Sequence, residues 1–246
     1  LRLPDKHRTA TCRDVRTLSR LLCRVCPRVW PVVAVLCLTG LPGLAGLPAM
    51  AQTPPVFGAP ETRSGNLQPF PKWTGVVARY RNEQRLFTAP CTPAPGQRCY
   101  MREWRAFVES LRGRPLAEQL RLVNSHVNSG RYILDPINWG VEDYWASPYQ
   151  FLARSGDCED YAITKFIFLR MLGISQDAMR IVILHDDNLG ILHAVLLVLA
   201  PDTPERGGRP TWWLLDNQIS HVVRADRVRH YRPIYSINET AWWLHR

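Results

Sequence analysis

The heptapeptide Ser155-Gly156-Asp157-Cys158-Glu159-Asp160-Tyr161 surrounds one cysteine with three carboxylates. A cysteine nucleophile acts as its thiolate, which positive potential favours and nearby negative charge opposes. Either Cys158 is inert, or something neutralises the acids beside it. Ser155-Gly156-Asp157 is a helix-start signal, and Tyr161 to Leu172 is an apolar helical pattern closed by Gly173. Cys158 therefore falls in a first helical turn, where backbone N–H groups and the macrodipole favour thiolate. A nucleophilic cysteine also needs a base, and the base an orienting group. His126 lies on the polar side of a helix and His221 follows a hairpin. His193 interrupts an apolar strand, where an unpaired imidazole is expensive to bury.

A hairpin register tests that third choice. If Ala200 pairs with Thr211, then His193 and Asp216 are diagonal neighbours on one face, roughly 7–8 Å apart at the backbone and within side-chain reach. Cys158 would attack, His193 take its proton and Asp216 fix the imidazole tautomer. The alternative is a satisfied core histidine and a turn-starting aspartate in "LDNQ", and the pattern leaves both open.

The elements that must position these residues are readable from periodicity. Helices are expected over Trp73–Arg85, Tyr100–Leu111 and Leu116–Asn128, followed by a long aromatic connection and the Cys158 helix. Strands are expected over 180–184, 191–200, 211–216 and 220–225, with "PDTPERGGRP" joining the middle two as a hairpin. Helices first and an antiparallel sheet after them give an α+β fold class. Residues 52–72, rich in Pro, Gly and polar side chains, read as a flexible lead-in to a domain spanning 73–246.

The formal charge of +10 suggests a nucleic-acid or membrane partner until its location is considered. Residues 1–51 carry +6 of it, which leaves +4 for the rest with no basic run, so no nucleic acid is expected. The same 51 residues hold a basic stretch, the apolar run "VWPVVAVLCLTGL" and Ala49-Met50-Ala51, the pattern of a secretory signal peptide cut before Gln52. No second spanning run follows, so the processed chain is not expected to be integral to a membrane. Four of seven cysteines lie in that segment, and Cys23-x-x-Cys26 lacks the partner pair zinc requires. Cys91 and Cys99 flank a turn-rich loop and suit a disulfide in an oxidising compartment, which leaves Cys158 as the odd thiol.

"DYWASPYQFLARSGDCEDYAITKFIFLRMLGI", with "HAVLLV", "LLDNQ" and "YRPIYSINETAWWL" downstream, resembles the bacterial transglutaminase-like cysteine proteases, and among these the LapG type. The likeness runs from about Trp73 to the C-terminus. It implies a papain-like, transglutaminase-like fold with Cys158, His193 and Asp216 as the triad. It also implies a periplasmic location and a substrate, the N-terminal region of a large repeat adhesin, cut near paired alanines to promote biofilm dispersal. The implied regulation is calcium dependence and restraint by the periplasmic domain of an inner-membrane cyclic-di-GMP receptor. Calcium would answer the opening puzzle: Asp157 and Glu159, joined by Asp160 and Asp143 on chemistry and proximity, are hard oxygen ligands whose charge it would cancel. The competing view is that these acids only complement the helix N-terminus. Two other functions remain open: a transglutaminase or amidase with the same triad, and a non-catalytic peptide-binding module. The backbone N–H of Cys158 is one oxyanion donor; Trp139 and Trp145 lie near enough in sequence to be considered for the second, although packing is their ordinary role.

Overall fold

The computed structural model describes residues 53–87, 89–93, 98–202 and 208–246. The expected signal peptide over 1–51 lies outside the described residues. At the centre stands helix α6 (Cys158–Met171), whose residues Glu159 to Leu169 are all buried. A helix apolar on nearly every side needs cover all round. One flank packs on α3 (Leu116–Asn128) and α5 (Pro148–Arg154), the other on strands β2 (Met179–Asp186) and β3 (Ile191–Pro201). Helices α1 (Pro71–Glu83) and α2 (Tyr100–Ser110) complete the helical layer, and Trp104 of α2 stacks on Phe168 of α6 with centroids 4.9 Å apart. The disulfide between Cys91 and Cys99 ties down the segment that leads into α2.

The expected helices form within two residues of their predicted ends, and α6 stops at Gly173, whose φ of +93° suits a residue without Cβ. The aromatic connection contains a short helix, α4 (Asp135–Asn138), and the start of α5, which opens on a reciprocal capping box between Ser147 and Gln150.

The seven-stranded sheet is antiparallel throughout, in the order β1-β7-β6-β2-β3-β4-β5. Strand β4 (Pro210–Leu215) pairs with β3 in the register assumed above, Ala200 opposite Thr211. The strand expected over 220–225 shrinks to β5 (Val223–Arg224), because the chain turns into a 3-10 helix at Ala225. Two strands were not anticipated, β6 (Tyr231–Ile237) and β7 (Trp242–His245). The lead-in over 52–72 is also corrected. Val56 is fully buried, and β1 (Glu61–Ser64) forms the sheet edge against β7. Its composition is polar, but Glu61 meets the buried Arg180 at 2.7 Å, and Arg180 lies between the rings of Trp212 and Trp243. No helix among the described residues is long and apolar enough to cross a membrane.

Candidate active site

Cys158 is the first residue of α6 and the free cysteine among the described residues. The turn before it is held under constraint. Ser155 adopts a φ of +66°, sparsely populated for a residue with a side chain. Its carbonyl accepts from Asn138 Nδ2 at 3.0 Å, and its hydroxyl accepts from the Arg131 N–H at 3.3 Å. A parallel bridge from Tyr132 to Gly156, with Ile133 N donating to Gly156 O at 2.9 Å, fixes the same turn from the other side.

β3 carries His193. The Ala194 N–H, one residue past His193, lies near enough to the Cys158 sulfur to favour its thiolate. His193 is buried, with Nε2 2.9 Å from Asp216 Oδ1, directly after β4. The diagonal relation expected from the hairpin is therefore met. Asp216 Oδ1 also accepts from the Gln218 N–H at 2.9 Å, and Oδ2 accepts from the Tyr231 hydroxyl at 2.6 Å. Burial pushes the Asp216 carboxyl up, but the His193 hydrogen bond and its companions outweigh it and hold the group below the usual carboxylate range. His126 instead stacks on Phe107, with centroids 3.8 Å apart, and His221 is exposed.

The acidic residues form a denser cluster than the sequence indicated. Asp157, Glu159 and Asp160 are buried, and with them is Asp135, at 1% exposure. Oxygens of Asp135, Asp157 and Asp160 lie within 4.8 Å of one another, and so do those of Asp135, Asp143 and Glu159. Asp143 also forms an ion pair with Lys72. Burial and mutual repulsion drive the cluster toward its neutral form: Asp135 is pushed up to about 7, and Asp157, Glu159 and Asp160 are raised too. Burial, then the charges of Glu159 and Asp157, raise the Cys158 thiol well above its ordinary value, and the thiol donates to Glu159 Oε2 at 3.3 Å. The electrostatic conflict in the heptapeptide is thus real in three dimensions.

Backbone N–H groups hold two of these carboxylates in place. Tyr144 N donates to Asp135 Oδ2 and Ala146 N to Asp160 Oδ1, the latter at 2.6 Å. Arg79 holds that stretch by donating to the Trp145 carbonyl, and Ser147 Oγ donates to Glu83 Oε1. Asp135 Oδ1, Asp157 Oδ1 and Asp160 Oδ2 are left buried with no hydrogen-bond partner among the described residues. Unpartnered buried carboxylate oxygens, all hard donors, fit a calcium ion. Trp145 is buried, and Trp139 packs on Tyr144 at 4.5 Å with Arg154 over its face.

Sequence reasoning missed Asp135 and Tyr231. Asp135 is 22 residues ahead of Asp157 in the chain, and its signal was only the "LDP" helix start. Tyr231 sits on β6, whose "YRPIYSI" carries Pro233 inside the strand and so lacks a clear strand signal.

No curated protein matches the chain at a significant level. Among solved structures, LapG of Legionella pneumophila is 32% identical, with a TM-score of 0.54, over 67% of this chain and 86% of that one. The calcium-bound form of that protein gives 33% identity and 0.54 over 67% and 86%; its EGTA-treated form gives 32% and 0.55 over 68% and 85%. The family described as bacterial transglutaminase-like cysteine proteinase (BTLCP) matches residues 87–244. With its antiparallel sheet and LapG-like architecture, the chain belongs to the bacterial transglutaminase-like cysteine proteinases.

Proposed function

We propose that the protein is a periplasmic, calcium-dependent cysteine endopeptidase that cuts the N-terminal region of a large repeat adhesin and so promotes biofilm dispersal. The periplasmic domain of an inner-membrane cyclic-di-GMP receptor is its restraining partner. The observation that carries the catalytic part is the His193–Asp216 pair at 2.9 Å, next in the chain to Ala194, whose N–H lies near the sulfur of the helix-start cysteine Cys158.

The roles follow from the donor and acceptor inventory. A carboxylate oxygen only accepts, so His193 Nε2 carries its proton toward Asp216 and Nδ1 carries the lone pair. Nδ1 takes the Cys158 proton, the sulfur adds to a peptide carbonyl, and the imidazolium returns the proton to the leaving amine. Water then resolves the acyl-enzyme. The backbone N–H of Cys158, at the start of α6, faces the oxyanion that forms in each step. Tyr231 and the Gln218 N–H hold Asp216 in the orientation this requires.

Asp157, Glu159 and Asp160, together with Asp135, would hold calcium. Bound there, calcium would cancel the negative charge that opposes thiolate formation at Cys158. The calcium-bound and EGTA-treated forms of the Legionella protein support the same reading.

The test incubates the purified protein and its Cys158→Ala variant with an adhesin N-terminal fragment, in calcium and then in chelator. Cleavage by the parent alone, lost on chelation, is the expected outcome. Cleavage that survives chelation refutes the calcium role and leaves the nucleophile standing. Tight binding by both proteins without cleavage refutes the protease reading.

A further inference from the structure

The two atoms that must exchange a proton are each engaged elsewhere in the free protein. The Cys158 thiol donates to Glu159 Oε2 at 3.3 Å. His193 Nδ1, the lone-pair nitrogen, lies 3.4 Å from the side-chain nitrogen of Gln218. An amide NH2 has only donors to offer, so it points one at that lone pair. Gln218 reaches this place because its own N–H closes a turn onto Asp216 Oδ1 at 2.9 Å and folds the chain back over the histidine. Its side chain is exposed, and 3.4 Å is long for a hydrogen bond, so little packing holds the amide there.

An imidazole nitrogen has one lone pair, for which the Gln218 amide and the Cys158 thiol compete. We propose that Gln218 is a positioning residue that caps the His193 base in the free protein and turns away to hydrogen-bond the backbone of an incoming peptide. The inference rests on the cysteine-protease reading above. It gives Gln218 two opposing effects: it slows reactions that need only the Cys158–His193 pair, and it helps reactions that need an extended peptide bound.

The test compares the parent protein with Gln218→Ala and with Gln218→Leu, which keeps bulk without a donor. Both substitutions leave the Gln218 N–H bond to Asp216 intact. Two reagents read the two effects in calcium-containing buffer. Iodoacetamide alkylates Cys158 with loss of iodide and makes no peptide contact. Acetyl-Ala-Ala chloromethyl ketone alkylates the same sulfur, with loss of chloride, after its peptide has bound. Both variants are expected to react faster with iodoacetamide by about two- to tenfold, the factor that one neutral hydrogen bond represents. The half-saturating concentration of the peptide reagent should rise by a similar factor. A purely structural glutamine would slow both reactions together. Iodoacetamide rates unchanged or lowered in both variants overturn the cap. His193→Ala serves as the control: if it alkylates as fast as the parent, the base assignment fails and the cap fails with it. A slowed His193→Ala with unchanged Gln218 variants overturns the cap alone.

Discussion

Gly156→Ala should damage the acidic cluster while leaving every ionisable group in the sequence. A Cβ placed on Gly156 would fall 2.8 Å from both Cβ and Cγ of Asp160 and closer still to Oδ2. Contacts under 3.0 Å are ones that real Cβ atoms essentially never make. Gly156 has no left-handed φ, so alanine suits its backbone and the whole penalty comes from this overlap. Neither neighbour has room to yield. Asp160 is fully buried and anchored to Ala146 N at 2.6 Å, and Gly156 is fixed by its bridge to Tyr132. Overpacking of this kind costs about 1–3 kcal/mol. Dislodging Asp160 leaves the Ala146 N–H unpaired for about 1–3 kcal/mol more. For a domain of this size, each kcal/mol lowers Tm by about 2–4 °C. A fall of at least about 4 °C is therefore expected by calorimetry in chelator, where no calcium contributes. The same scan in calcium adds a second readout: the parent should gain Tm by mass action and the variant should lose most of that gain. A variant that melts within about 1 °C of the parent in chelator and keeps the calcium increment would refute both the packing of Asp160 against Gly156 and its place among the ligands.

Two further outcomes are expected. Tyr231→Phe removes the 2.6 Å bond to Asp216 Oδ2 without changing shape. A hydrogen bond to a charged group is worth about 1.5–3 kcal/mol, so kcat should fall tenfold or more with KM little changed, as steady-state kinetics would show. His245 concerns stability against pH. Burial lowers it from 6.5 to about 4, so the unfolded chain binds its proton first as pH drops. Its neutral form contributes fully above pH 6.5, and the contribution disappears as pH falls toward 4. The loss amounts to about 3 kcal/mol, and urea titrations at stepped pH should show it flattened in His245→Gln.

The candidate site was legible in proportion to how local its determinants are. Cys158 and its helix follow from a helix-start signal, an apolar run and a closing glycine within 19 residues of one another, although Asp157 makes no side-chain cap bond in α6. The His193–Asp216 relation needed only a hairpin register, because side-chain direction along paired strands alternates with period two. Strand β1 was hidden for the opposite reason. Four polar residues carry no strand pattern of their own, and their partner β7 lies some 180 residues onward, where Arg180 and its tryptophan rings complete the edge.

The sequence alone therefore placed Cys158 at a helix start among three acids, set His193 and Asp216 on one face of a hairpin, and paired Cys91 with Cys99. Tertiary structure decided which other groups join them. It brought Asp135 to Asp157 through the Tyr132–Gly156 bridge, laid Tyr231 of β6 against Asp216, and turned Gln218 onto His193. Helix caps and strand alternation are written in neighbouring residues, whereas these meetings depend on packing between elements far apart in the chain, which no local pattern encodes.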